Sequence, residues 1–364
     1  MKNLSVDLTR VFKVDVCVSR RKKFKHPTEK VPDLFSSVHA RVSVSVALGL
    51  GVVAATFGYF YRKKLIATPP KKWIRVGELT ELIIYPVKSC AGIPADELNC
   101  TILGLFDGEL RDRTFSCVSL DGTCITGRSH PKMVLIQPRF ENNRLILSAP
   151  KMPDVSVDVT QITHESRSRT SVWSDIVTTV DCGDEVAKWL SNYLLDDDHG
   201  VRLVFYPEDE PTRDAWSRKK NNRDLATHAG ALHDVTSYMM LNQASVDDLN
   251  TKLTEPVTFK HFRPNFLVNG NTEYAEDKWV WVKIGNVIFK NVMLCGRCIF
   301  TNINPETGKR NPDGEPLNTL RSYRMVSEGV DYPILGIHLG VHTQGLIKKG
   351  DPIYVGHIPA ATES

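Results

Sequence analysis

Residues 293–308 read MLCGRCIFTNINPETG, and how this stretch is read decides the fold class and the chemistry. Its two cysteines, Cys295 and Cys298, follow a β-like run, NVIFKNVML, and lead into IFTNINPETG, which has no helical period. A zinc ribbon needs a second ligand pair, yet no second CxxC occurs and Cys117 with Cys124 is spaced too widely. A thioredoxin-like pair uses a helix N-terminus to acidify its thiol, and none is signalled here. Two small buried hydrophobes in a strand are the plain alternative. The remaining reading is one thiolate bound to a soft, redox-active metal, with a nearby cation such as Arg297 lowering the thiol pKa. Spacing leaves open which cysteine faces the metal.

From Val76 onward the pattern is of short β-like runs between turn residues. ELTELIIYPVK reads as a strand. TFSCVSLDGTCITG reads as a hairpin turning at Asp121-Gly122, and MVLIQPRFENNRLILSAP as another turning near Asn142-Asn143. DEVAKWLSNYLL carries Val186, Trp189, Leu190, Tyr193 and Leu194 on one helical face, with Asp184 as its expected cap. A polar stretch from Glu208 to about His228 separates two halves. SVDDLNTKL is expected to be a second helix capped by Ser245. FLVNG then reads as a strand, WVWVKIGNVIFKNVML as a hairpin turning at Gly285-Asn286, PLNTLRSYR as a short helix and GDPIYVG as a closing strand.

Three short segments carry groups suited to an anion. YPVKSC sets Lys88 and Ser89 at a strand end, where a cation, a hydroxyl and free backbone N–H groups can hold a phosphate or an anionic ring. In LRDRTF, strand alternation puts Arg111 and Arg113 on one face unless the segment turns. FRPNFLV places Arg263 and Asn265 at a strand start with Pro264 fixing the bend between them. Any one of them alone is ordinary surface chemistry.

The ends of the chain and its composition bound the rest. Residues 42–61, VSVSVALGLGVVAATFGYFY, carry no charge, and roughly 20 residues at about 1.5 Å each span a bilayer core of about 30 Å. Arg41 precedes them and Arg62, Lys63, Lys64, Lys71 and Lys72 follow, as expected of a signal anchor with its body in the cytosol. Residues 1–40 are polar and basic and read as an unstructured or targeting extension. No cleavable secretory signal fits. The 364 residues, 41% of them apolar, suffice for a large core, and a net charge of +4 concentrated near the N-terminus argues against nucleic acid as a partner. Eight cysteines scattered over this length suit a reducing compartment.

Taken in order, YPVKSCAG, LRDRTF, DCGDEVAKWL, FRPNFLVNG, YAEDKW, MLCGRCIFTNINPETG, PLNTLRSYR and GDPIYVG resemble the mitochondrial amidoxime reducing component family from about Val76 to the C-terminus. The resemblance implies an α+β, β-rich fold behind a single transmembrane helix. It would comprise an N-terminal β-barrel-like MOSC domain over 76–207, a linker over 208–232 and a MOSC domain over 233–357. It also implies a molybdenum cofactor, a molybdopterin whose metal is held by the second cysteine of C-x-R-C, here Cys298. Cofactor contacts would come from Lys88, Ser89, Arg113, Arg263, Asn265 and Arg297, from the backbone of Gly296, and from the stretch Val235, Thr236 and Ser237. His338 stands where family members can carry tyrosine, which exchanges a phenol for a group titrating near neutrality.

The implied activity is reduction of N-hydroxylated compounds, such as amidoximes, hydroxylamines and N-hydroxylated bases, with loss of water. Electrons would come from NADH through a cytochrome b5 reductase and cytochrome b5, on the mitochondrial outer membrane. One alternative is a MOSC protein that binds or sulfurates the cofactor for another enzyme, though such sulfurases carry an aminotransferase-like domain for which this chain has no room. A non-enzymatic membrane adaptor is another. Deleting residues 42–61 is expected to move the protein from pellet to supernatant in alkaline carbonate extraction; a truncated protein that still pellets excludes the anchor.

Overall fold

Leu79, Leu82 and Ile84 are buried along the strand that the motif ELTELII announced, and this strand closes the main sheet of the molecule. The computed structural model describes residues 68–108, 110–162, 167–173, 175–213, 230–270, 272–325 and 332–356. They belong to a unit spanning Lys63–Ser364. The expected extension, the anchor at 42–61 and residues 214–229 of the expected linker lie outside the described residues. Among those described, no helix is long and apolar enough to cross a membrane.

The first half supplies β1 (Trp73–Ile84), β2 (Ile93–Pro94), β3 (Glu97–Thr101), β4 (Gly104–Asp107), β5 (Leu110–Arg111) and β6 (Phe115–Ser119). It continues through β7 (Gln137–Glu141), β8 (Arg144–Ser148), β9 (Val155–Asp158), β10 (Arg167–Val172), β11 (Asp175–Asp181), helix α1 (Asp184–Leu195) and β12 (Val201–Phe205). The second half supplies β13 (Tyr238–Asn242), α2 (Gln243–Asn250), β14 (Phe266–Val268), β15 (Trp281–Ile284) and β16 (Val287–Gly296). It ends with α3 (Leu317–Tyr323), β17 (Ile334–Thr343), β18 (Gly345–Lys348) and β19 (Pro352–Gly356).

The main sheet runs β14-β13-β17-β16-β15-β19-β1, and a further β14–β1 pairing closes these seven strands into a barrel. Closure removes the exposed edges that an open sheet would leave. Six of the strands come from the second half and only β1 from the first. In return β18 leaves the second half to pair with β3 in the sheet β18-β3-β4-β5. The two halves expected from sequence are thus laced together, each lending a strand to the other. The barrel interior holds Tyr238, Phe266 and Phe289, whose ring centroids lie 5.2 to 5.5 Å apart. Beside it, α1 and the sheets β10-β11-β12-β6 and β7-β8-β9 enclose a second core containing Phe115, Leu145, Leu190 and Leu203.

The local readings hold where a turn or an apolar face dictated them. Asn142 and Asn143 both adopt positive φ, at 50° and 60°, joining β7 to β8 as a two-residue hairpin requires. The expected caps are corrected. Asp184 is the first helical residue of α1 and bonds Arg202 at 2.9 Å, while Gly183 takes the cap position. Ser245 lies inside α2, buried and donating to Glu276 at 2.8 Å, and Asn242 caps that helix. Arg111 and Arg113 do not share a face, because the chain turns after β5 and Arg113 takes φ 49°.

Phe289 is fully buried against two other rings, so Phe289→Ala is expected to cost about 3–5 kcal/mol. Chemical denaturation of the full chain reads this as a lowered midpoint with little change in slope.

Candidate functional site

Asp112, immediately after β5, is fully buried and accepts four hydrogen bonds. Its Oδ2 receives the backbone N–H of Tyr85 at 3.0 Å and Asn265 Nδ2 at 2.8 Å. Its Oδ1 receives His233 Nε2 at 2.9 Å and the guanidinium of Arg113. Burial alone would raise the Asp112 pKa, but the adjacent Arg113 cation and the His233 bond hold it below the usual carboxylate value. Burial likewise pushes His233 down to about 4, so its ring is neutral and donates from Nε2. Asn265 is consumed by this network: Nδ2 also donates to Ile83 O at 3.1 Å, and Oδ1 accepts from Met239 N at 3.1 Å and Arg113 Nη1 at 3.3 Å.

Around this hub the expected site residues form a connected path. Leu232 donates its N–H to Arg113 O at 3.1 Å and accepts Lys88 Nζ on its own carbonyl at 2.7 Å. Lys88 is buried and also binds Asp234 Oδ1 at 2.6 Å. Desolvation works against the Asp234 carboxylate, yet the Lys88 ammonium overrides it and holds the pKa well below the ordinary range. In the other direction, the guanidinium carbons of Arg113 and Arg263 lie 4.7 and 4.3 Å from the Tyr85 ring centroid. Arg263, at φ 54°, also approaches Phe300 at 5.4 Å. Burial strips hydration from its guanidinium and lowers its pKa to about 10. Its Nη2 is buried with no hydrogen-bond partner among the described residues.

The cysteines separate clearly. Cys295 is buried in a cluster with Met239, Leu320 and Leu335, whereas Cys298 is half-buried, on extended backbone at the start of a short 3-10 turn, Ile299–Asn302. No α-helix begins there, which removes the thioredoxin-like reading. Burial would raise the Cys295 pKa, but Arg297 and His338 outweigh it and lower it to about 7. Arg297 is spent on structure: Nε donates to Leu335 O at 2.8 Å and Nη1 to Phe262 O at 3.0 Å. It offers a ligand only its backbone and its charge. Gly296, at the end of β16, is exposed.

His338 pairs its Nδ1 with Thr236 Oγ1 at 3.2 Å, and that hydroxyl donates to Tyr238 O at 3.0 Å. With its one proton spent there, Thr236 accepts from His338, which places the ring proton on Nδ1. Ser237 donates to Ile102 O at 2.7 Å, Ser89 is buried at φ 68°, and Val235 is half-buried between Asp234 and Thr236. His338 and His342 stand four apart in β17, but the His342 ring packs 5.2 Å from that of Trp281.

Two cavities flank the path. One of about 500 Å³ is lined by Tyr85, Arg263, Phe259, Phe300, Lys260 and His261 among others. The second, of about 180 Å³, is lined by Lys88, Asp234, Arg128, Trp173 and several hydroxyl side chains. Cys298 lines neither, but Phe300, two residues on, walls the larger. Buried cations, one of them with an unanswered donor, near the half-buried thiol of Cys298 fit an anionic ring-bearing group ligated by a single sulfur; a second half-buried thiol, Cys124, lines the smaller cavity. Sequence reasoning missed His233, Asp234, Trp173 and Arg128. Only the acid within LRDRTF hinted at the hub, since a carboxylate between two arginines invites pairing.

Fold and site together define a MOSC-domain protein. Residues 76–197 match the family model described as the MOSC N-terminal beta barrel domain, and residues 227–354 match the MOSC domain. The chain is 37% identical over 288 residues to mitochondrial amidoxime reducing component 2 of Bos taurus, covering 77% of this chain and 83% of that one. It is 35% identical to mitochondrial amidoxime-reducing component 1 of Homo sapiens, over 84% of this chain and 91% of the relative. The Xenopus laevis component 1 is 33% identical over 86% and 92%. The chain belongs to the mitochondrial amidoxime reducing component family.

Asp112→Ala leaves four buried donors unanswered and is expected to cost about 3–5 kcal/mol in a chemical denaturation series. Acid acts through the same hub. His233 binds a proton in the unfolded chain below about 6.5 but in the folded one only below about 4. Its contribution is therefore present above pH 6.5 and lost as pH falls from about 6.5 to 4; that of Asp112, whose folded pKa is depressed, is lost at still lower pH. His233→Gln should flatten the upper part of this pH dependence; an unaltered profile excludes the assignment.

Proposed function

We propose that this chain is a molybdenum-cofactor-dependent reductase of N-hydroxylated compounds, anchored on the mitochondrial outer membrane with its body toward the cytosol. The reaction takes R–C(NH2)=N–OH, two electrons and two protons to R–C(NH2)=NH and water. The electrons come from NADH through cytochrome b5 reductase and cytochrome b5. The reading rests on the unbroken path of contacts from Cys298 through Arg297, Phe262, Arg263, Tyr85, Arg113 and Leu232 to Lys88. This path gathers the half-buried thiol of Cys298 and four buried or half-buried cations. Membership of a family whose members are named for amidoxime reduction and for mitochondria agrees with it.

When bound, the molybdenum cofactor supplies the two-electron chemistry. The chain holds and tunes it. Cys298 offers the metal-ligating thiolate, with the Arg297 charge beside it. Arg263 offers a desolvated donor at Nη2 to the cofactor's anionic part, and Arg113, Lys88 and Ser89 extend that cationic cradle. Val235, Thr236, Ser237, Asn265 and Gly296 shape its wall, chiefly through backbone, because the Thr236, Ser237 and Asn265 side chains are already bonded within the protein. His338, joined through Nδ1 to Thr236 Oγ1, sets its ring on the same wall beside Cys295.

Cys298→Ala is expected to lose bound molybdenum and benzamidoxime-dependent NADH oxidation in a system reconstituted with both electron-transfer partners. Cys295→Ala, altering a thiol buried in packed hydrocarbon, should keep most of its metal. Full molybdenum content in Cys298→Ala would end the proposal.

A further inference from the structure

The turn joining β10 to β11 is two residues long and begins with Trp173 at φ 61°. Two-residue hairpins put Asn, Asp or Gly at such positions, and a bulky side chain in the left-handed region is strained. The surroundings hold it there. The indole Nε1 donates to Asp234 Oδ1 at 2.8 Å, and the Arg128 guanidinium lies 4.3 Å from the ring centroid. The bridge Thr123↔Ser171 ties the hairpin to the loop that carries Arg128. Even so, Trp173 remains 50% exposed. A strained, exposed aromatic held by two charged neighbours marks a surface built for something other than stability.

That surface walls the cavity of about 180 Å³, with Lys88 and Asp234 also on its lining. Its size admits a fragment, one ring with its functional group, and falls below the ~300–1,000 Å³ of drug-sized sites. Both bonds to Asp234, from Lys88 and from Trp173, end on Oδ1. Among the described residues no donor reaches Oδ2, and the side chain is 52% exposed. The cavity adjoins the Cys298 loop: Gly127 abuts the Phe300 ring and Arg310 donates to Arg128 O at 2.6 Å.

We propose that this cavity selects the substrate, accepting a small planar group with an N–H donor beside its N–OH. The Arg128–Trp173 wall stacks on the plane and Asp234 Oδ2 accepts the N–H. An amidoxime satisfies both demands, since its amino group is coplanar with the N–OH; a bare hydroxylamine has N–H donors but no plane for the wall to stack on. The inference rests on the reductase reading for its substrate class and adds to it a discriminating surface in which Asp234, Arg128 and Trp173 join Lys88 of the cofactor cradle.

The test uses the full-length, cofactor-loaded protein and compares it with Trp173→Ala and Trp173→Phe. Molybdenum content, steady-state kinetics on benzamidoxime and on hydroxylamine, and calorimetric binding of the product benzamidine are measured. Trp173→Ala should retain its molybdenum, while the ratio of kcat/KM for benzamidoxime over hydroxylamine falls about tenfold, carried by KM, and benzamidine binds about tenfold more weakly. Trp173→Phe, which keeps a ring but no indole N–H, should recover part of both. An unchanged ratio with unchanged benzamidine affinity overturns the proposal, as does loss of molybdenum from both variants, which would mean that the wall serves the cofactor. If the unaltered protein reduces no N-hydroxylated compound, the reductase reading fails, and benzamidine binding to the unaltered and Trp173→Ala proteins still decides whether the cavity is a planar N–H site.

Discussion

The carboxylate of Asp112 is the interaction on which the rest of the site depends. A buried charge persists only when its bonds are all made, and here its neighbour Arg113 and three donors from elsewhere in the chain converge on it. Each donor brings a functional neighbour with it. Tyr85 precedes Lys88 and Ser89 by a few residues; Asn265 follows Arg263; His233 precedes Asp234 and the Val235–Ser237 stretch. One ion, by demanding satisfaction, holds groups that lie up to 153 residues away from it in sequence.

The barrel supplies the second constraint. Because β1 closes it and β18 departs from it, neither half of the chain can complete its sheets alone. The strand ends around the hub are thereby held between two cores, the aromatic interior of the barrel and the α1-covered sheets. The site residues consequently sit on rigid backbone, several of them at positive φ where a turn must end a strand or a 3-10 segment, as at Ser89, Arg113 and Arg263. Such sites hold their side chains in place at little entropic cost on binding.

The two cysteines show how identical chemistry divides by environment. On extended backbone three residues apart, one side chain turns into packed hydrocarbon and the other stays half-buried beside Arg297. Arg297 lies between them with its donors committed to carbonyls, so it acts on both through its field. His338 modifies that field further, through its bond to Thr236 on one side and its contact with Cys295 on the other.

Sequence by itself determined the elements whose cause is local. Apolar alternation specified β1, the 3.6-residue period specified α1, and Asn142-Asn143 and Gly285 specified their turns, because in each case the backbone conformation follows from neighbouring side chains. The ordered motifs also carried the family. Helix caps were misread at Asp184 and Ser245, since both side chains found tertiary partners, Arg202 and Glu276, that no local rule contains. Tertiary structure alone decided that Arg297 and Asn265 are spent within the protein and that Arg263 keeps a donor unanswered. It also joined Trp173 to Asp234. Each of these depends on which remote groups share a buried site, and burial is a property of the folded whole.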